Sequence, residues 1–378
     1  MATQVLILAT LETKEDEVGF LMQELDKLGV AAHTLDISLA TGGSILNGDQ
    51  KRHAMEAVVV ASLGQIDADV GVVIGLGGGT GGEIALNILR ALPLHIPKVL
   101  VTTLPFDPRA AVADSSITLV PTLADICGLN SVLRDVLENT ALMVAGLCRK
   151  SGAGRRQNPA VGITALGATD GAVLPLVQAL ACNGRESAVF HSNGYGGAAF
   201  SRFAARGDFE AIVDVTPHEI TRVHLAGAHV EMPLRFSAGA DLPRVVLPGA
   251  MNFLGLGALS EVPDHYRDRP HYAHSGFFTH VQLTEDEMQL VATRLADTLN
   301  AVSGPTAVII PMGGFSHQDR PGGAIENQTL RDVLRVTLHD QLTEKTVIRT
   351  LDAHLFDPVV TQEIITTLDH LTDQKDLP

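Results

Sequence analysis

Short apolar runs recur along the chain, separated by stretches in which apolar residues return at helical spacing. Residues 4–9 (QVLILA) read as a buried strand. Residues 15–28 follow with Val18, Leu21, Leu25 and Leu28 on one face, closed by Gly29. That spacing predicts a helix with a glycine C-cap. The alternation continues with strands expected at 30–37, 70–74, 98–103 and 117–120, and helices at 51–63 and 129–147. It restarts at 160–166, with further strands at 187–191, 211–215, 244–247, 306–311 and 346–351. The helices between them are expected at 172–181, through Phe200, Phe203 and Ala204, and at 217–225, 284–301 and 330–339, with Thr284 and Glu287 forming a capping box for the helix at 284–301; residues 361–371 close the chain.

Strands that alternate with helices of this length form βαβ units, so mostly parallel sheets covered on both faces are expected. Right-handed crossovers place every strand-to-helix loop on one edge of such a sheet, the carboxyl edge where ligands bind. The polar, basic stretch RKSGAGRRQNP at 149–159 breaks the pattern. Two domains are therefore expected, at 1–150 and 160–378, joined by a linker at 151–159 and with a cleft between their facing carboxyl edges. The second half echoes the first: ALGATDGAVLPLVQAL beside GLGGGTGGEIALNILRAL.

The densest signal is the run from Val70 to Leu92. β-Branched residues lead into six glycines in the eight residues Gly75 to Gly82, and Ile84, Ala85, Ile88, Leu89 and Leu92 then share a helical face. A strand, a glycine loop and a helix present bare amides to an anion at a helix N-terminus. The pattern lacks the Lys and Ser/Thr of a Walker loop, since Glu83 and Ile84 stand there. It also lacks the ribose-binding acid at the end of the following strand, which closes in Thr102 and Thr103. A tight turn that packs helix against strand remains the bland reading beside the anion cradle.

Composition narrows the classes. The chain has 378 residues, 46% of them hydrophobic and 19% charged, which suits a folded globular protein of two domains. Its net charge of −16 argues against nucleic acid as a partner. No apolar run reaches the roughly 18 residues of a membrane span. The N-terminus lacks the basic and small-residue features of a signal peptide. Cys127, Cys148 and Cys182 have no metal-ligand spacing and suggest a reducing, cytoplasmic setting.

Candidate chemistry gathers in the second half, where twelve of fifteen histidines lie beyond residue 180. His218-Glu219 with His224 resembles a zincin helix, but a spacing of six residues puts the two rings on different sides. No metal site is therefore expected. Asn252, Arg267, Ser316, Asp319 and His354 occupy polar loops at strand ends and are the candidates for substrate contact. Local caps and solvated ion pairs are the alternative for each.

Several blocks, in order, carry a family resemblance: TLETKEDEVGFL, IGLGGGTGGEIA, FHSNGYGGAAF, PGAMNF, YRDR, IPMGGFS with DRPGG, and DAHLFDP. Together they resemble the Tm-one-like ATP-binding family, over nearly the whole chain. The resemblance implies two Rossmann-like α/β domains, with ATP, with or without Mg, bound by the first. The family's G-T-x-D-T-K-G block stands here as Ala9 to Glu15, departing at Ala9, Glu12 and Glu15. Carried onto this sequence, the cofactor contacts fall on Thr10, Thr13 and Lys14, on Gly77, Gly78, Gly79, Thr80, Gly81, Gly82 and Glu83, and on Thr102 and Thr103. In plant relatives the unit is joined to a TIM barrel, so here such a partner would be a separate protein.

The expectation is a cytoplasmic nucleotide-binding protein, homo-oligomeric through the apolar helix at 129–147. It would act as a catabolic enzyme on a small organic substrate, or else as a nucleotide-responsive module without turnover.

Overall fold

The computed structural model describes residues 4–42, 44–67, 70–105, 107–148, 159–227, 232 and 234–375. The chain divides into two units, Met1–Arg155 and Arg156–Pro378. The linker expected at 151–159 lies outside the described residues except for Pro159. Among the described residues no helix is long and apolar enough to cross a membrane.

The first unit is built on strands β1 (Val5–Ala9), β2 (Ala32–Asp36), β3 (Val72–Leu76), β4 (Lys98–Thr102) and β5 (Ile117–Pro121). They form one parallel sheet in the order β2-β1-β3-β4-β5. Its helices are α1 (Leu11–Lys27), α2 (Gly48–Leu63), α3 (Gly79–Ala91), the short α4 (Pro108–Val112) and α5 (Ser131–Cys148). The side chains of β1, β3 and β4 are fully buried on both faces, which is why these strands read as unbroken apolar runs. One face packs on α1 and α5 through Leu21, Leu25, Leu137 and Val144, the other on α2 and α3 through Met55, Ile84 and Leu89.

Two expectations change here. The loop expected at 10–14 is already helical: α1 starts at Leu11 and kinks at Lys14, whose φ of −129° and ψ of 18° leave the helical range. The helix expected at 129–147, whose long apolar run implies burial on more than one face, buries a single one. Leu133, Leu137, Ala141 and Val144 face the sheet, while Leu142 is 59% exposed.

The second unit carries β6 (Ala160–Ala165), β7 (Ser187–His191), β8 (Phe209–Asp214), β9 (Arg244–Val246), β10 (Phe253–Leu256), β11 (His271–Ala273), β12 (Thr279–Gln282), β13 (Thr306–Pro311) and β14 (Thr346–Leu351). Six of them make a parallel sheet in the order β14-β13-β9-β8-β6-β7. Helices α6 (Asp170–Cys182), α7 (Tyr195–Ala205), α8 (Glu219–His224), α9 (Asp264–Arg267), α10 (Glu285–Ala301), α11 (Gln328–Gln341) and α12 (Pro358–Lys375) complete it. The remaining strands form a small antiparallel sheet, β10-β12-β11, in a region the apolar pattern left as polar loop. Its strands are only three or four residues long, too short to register as periodicity, and two of the three carry a His.

A buried ion cluster ties this unit together. Arg235, 2% exposed, donates both terminal nitrogens to the Asp214 carboxylate at 2.9 Å and its Nε to Glu219 at 2.7 Å. Burial alone would raise Asp214, but Arg235 and the Thr164 hydroxyl hold its carboxyl below the usual range.

Candidate functional site

In the first unit the chain leaves β1 toward β2 on one side and leaves β3 toward β4 on the other. The crevice between the carboxyl ends of β1 and β3 is thus the topological switch point of the sheet. Both glycine- and threonine-bearing loops end there. The cavity they enclose measures about 490 Å³ and is lined by Thr10, Glu12, Thr13, Lys14, Gly78, Gly79, Thr80 and Gly81. That volume lies within the range of small-molecule sites.

The glycines divide by role. A Cβ on Gly75 would stand 2.8 Å from that of Ala85, and one on Gly77 would stand 2.6 Å from the Gly82 nitrogen. A Cβ on Gly82 would meet the Gly77 oxygen at 2.8 Å. These three let α3 close on β3. Their amides are not all available either: Gly77 donates to Val101 and Gly82 to Gly78. A Cβ on Gly79, by contrast, would meet nothing within 4 Å, and one on Gly78 only the Thr103 hydroxyl at 3.5 Å. The helix starts at Gly79, so the amides of Gly79, Thr80 and Gly81 have no acceptor within it and face the crevice with the dipole behind them.

Around this helix end stand hydroxyls and cations. Thr10 and Thr13 share a hydrogen bond at 3.1 Å, and Thr10 lies against Gly81. The Lys14 ammonium donates to the Ile126 carbonyl, so it is fixed at the cavity wall. Thr102 is buried beneath Gly82, and Thr103 stands beside Gly78. The Glu83 side chain lines a neighbouring cavity between α2 and α3. Lys51, Ser38 and Asp125 also line the main cavity; nothing in their local spacing announces them, because they come from the first turn of α2 and from the loops after β2 and β5.

The second unit has its switch point between β6 and β8, where the chain again departs in opposite directions. Thr169 and Thr216, from the two loops, meet there at 2.8 Å. Beside them four rings form a column: His218 against Phe253 at 4.9 Å, Phe253 against His280 at 4.0 Å, and His280 against His274 at 4.9 Å. His317 approaches edge-on, 5.2 Å from Tyr272 and 5.9 Å from His274.

His218 is fully buried. Its Nδ1 lies 2.7 Å from the Ala250 carbonyl, which can only accept, so Nδ1 carries the proton and Nε2 keeps a lone pair. Burial, reinforced by the nearby Arg222 charge, holds this ring neutral well below the usual histidine range. Burial likewise pushes His280 down to about 3, with help from His274, His317 and Arg222. Among the described residues no group of His, Cys, Asp and Glu is arranged to hold a metal ion.

The expected substrate residues separate. Asn252 and Ser316 are buried at this edge. Ala250 donates to Phe315, which joins their two loops. Asp319 scaffolds the second loop: its carboxylate accepts from the amides of Phe315 and Asn327 and pairs with Arg331. His354 accepts from Phe356 at Nδ1 and donates from Nε2 to the Ser316 carbonyl, so both nitrogens are spent on backbone. Arg267 lies on α9, where it donates to Val262 and pairs with Asp264. Sequence reasoning weighed His218 only as part of a rejected zinc motif and put neither His280 nor His317 among the substrate contacts; their common signal is a position just past a strand or on the short antiparallel sheet.

Two α/β units, each a parallel sheet with a crevice at its switch point, define a two-domain Rossmann-like protein. The chain belongs to the family described as uncharacterised protein family UPF0261: the N-terminal domain model matches residues 46–153 and the C-terminal domain model residues 158–372. It is 30% identical to a UPF0261 protein of Mesorhizobium japonicum, over 97% of this chain and 98% of that one. A UPF0261 protein of Clostridium tetani is 29% identical over 90% and 92% of the two chains. The ToMV resistance protein Tm-1(GCR237) of Solanum lycopersicum is 28% identical over 69% of this chain and 36% of its own length.

Proposed function

We propose that the first unit binds a nucleotide, ATP in the first instance, at its switch-point crevice. One observation carries the reading: the open amides of Gly79, Thr80 and Gly81 share a single cavity with Thr10, Thr13, Lys14 and Lys51. The helix end would take the phosphates and the two lysines would offset their charge. Glu12 and Asp125 on the same walls are the oxygen donors a hydrated Mg would need, and Leu39 and Ile126 offer apolar surface for a base. Catalysis on a small organic substrate would then fall to the second unit. A cytoplasmic setting is supported by three free cysteines, and self-association by the outward Val132 and Leu142 of α5.

Calorimetric titration with ATP and with ATP–Mg tests the site. Gly79→Glu adds charge and bulk where a Cβ meets nothing, so the fold tolerates it. Affinity is expected to fall at least about tenfold; unchanged affinity sinks the assignment. A metabolite screen for nucleotide-dependent turnover then separates an enzyme from a nucleotide-responsive module.

A further inference from the structure

The crevice of the second unit holds an unusual density of buried polar atoms without partners. Among the described residues, Nε2 of His218, both amide atoms of Asn252 and the hydroxyl of Ser316 make no hydrogen bond. All three side chains are at most 1% exposed. Nδ1 of His280 and Nδ1 of His317 add to the set. Folding pays for each such group with its lost hydration, and native interiors therefore avoid them unless something else fills the bond.

These groups come from different elements. His218 follows β8, Asn252 follows β9, Ser316 follows β13, and His280 lies on β12. Their convergence is held by bonds that leave the orphan atoms untouched. Ala250 accepts from His218 and donates to Phe315, and the Ser316 carbonyl accepts from His354. Ala168, after β6, accepts from the His317 amide. The scaffold is satisfied and its functional atoms are not. Water is the ordinary filler of a polar void, but Phe253 stacks between the two imidazoles and makes one wall apolar.

The chemistry of the vacant bonds specifies a ligand class. Nε2 of His218 accepts, so it faces a hydroxyl donor. The Asn252 amide and the Ser316 hydroxyl can donate to oxygen acceptors. The nearby acids are committed: Asp214 and Glu219 both pair with Arg235. The charge that acts on both His218 and His280 is the positive one of Arg222. A Cβ on Gly255 would lie 3.1 Å from His218 Nε2 and 3.2 Å from an Arg222 terminal nitrogen, so the lone pair and the cation border the same space.

We propose that the second unit binds a small hydroxycarboxylate at the carboxyl edge of its six-stranded sheet, with the hydroxyl donated to His218 Nε2 and carboxylate oxygens held by Asn252 and Ser316 in the field of Arg222. The site lies within the second unit and does not depend on the nucleotide reading of the first.

The test uses the full chain, with binding read by calorimetry and by thermal shift. The probes are glycolate, lactate, malate and tartrate, each paired with its deoxy counterpart, acetate, propionate or succinate. At least one hydroxy acid is expected to bind saturably and at least about tenfold more tightly than its counterpart, the loss expected for one hydrogen bond to a buried polar site. Asn252→Ala and Ser316→Ala are each expected to weaken that binding about tenfold while leaving the unliganded melting temperature unchanged or higher. A water-filled structural cluster predicts the opposite, lower melting temperature and no selectivity. Three results overturn the proposal: no binding of any hydroxy acid at millimolar concentration, equal binding of the deoxy acids, or full affinity in both variants. Nucleotide binding measured in the same samples shows whether the first unit is intact.

Discussion

The two units place a crevice at the same topological point and furnish it in opposite ways. In the first, the groups on offer are backbone: the amides of Gly79, Thr80 and Gly81 at the start of α3, with open space beside Gly79. In the second, they are side chains on four elements, aimed inward and buried. Parallel βαβ topology supplies the location in both cases, and only the local residues decide what the location can hold. A backbone cradle is generic for anions, while a set of converging side chains discriminates among shapes and bond patterns.

The largest effect expected from breaking this comparison concerns the frame of the second crevice. Arg235→Met leaves Asp214 and Glu219 buried without their cation and is expected to cost about 3–5 kcal/mol. Chemical denaturation would measure it. A smaller loss would mean that water reaches the two carboxylates.

Next comes the contrast within the glycine loop. Gly77→Ala pushes a methyl group to within 2.6 Å of backbone and is expected to cost about 1–3 kcal/mol. Gly79→Ala meets nothing and should leave the denaturation midpoint unchanged. If the two variants behave alike, the division between packing glycines and open glycines fails.

Acid titration separates the units in another way. The folded-state pKa of His280, about 3, lies below the ordinary value of 6.5 that the denatured chain regains. Between those values the denatured state binds the extra proton. Stability from this group is therefore complete above about pH 6.5 and is lost as pH falls toward 3, by at most about 1.4 kcal/mol per pH unit. Denaturation midpoints at about pH 7 and about pH 5 would show the slope. His280→Phe keeps the stack on Phe253 and should reduce that slope, leaving the part that His218 and the other depressed histidines contribute.

The smallest effect is the most telling. Asn252→Ala removes two unpaired buried atoms and is expected to gain up to about 1 kcal/mol. A loss above that size would reveal a structural bond.

Much of the fold was legible because its strands are buried on both faces. β1, β3, β4, β6 and β13 read as continuous apolar runs between helical stretches. Strand order was not legible, since periodicity says which residues face a core and nothing about neighbours. The start of α1 was missed because Leu11 to Lys14 form a kinked turn whose polar residues mimic a loop. The histidine column was hidden more deeply. His218 is the N-cap of α8, and His274 and His280 flank a hairpin whose strands are too short to show alternation. Their proximity is a product of two sheets meeting, which no local spacing encodes. Asn252 and Ser316 stood out only because each follows a strand that the pattern had already located.

Ala250 is the one residue on which both loops of the second crevice hinge, and its φ of +58° is unusual for a side chain with a Cβ. A left-handed residue of this kind costs about 1–2 kcal/mol. That twist turns the Ala250 carbonyl onto His218 while the amide is held by Phe315. The handedness of a single peptide unit therefore decides which imidazole nitrogen carries hydrogen, and through it whether the crevice presents an electron pair or a proton to whatever enters.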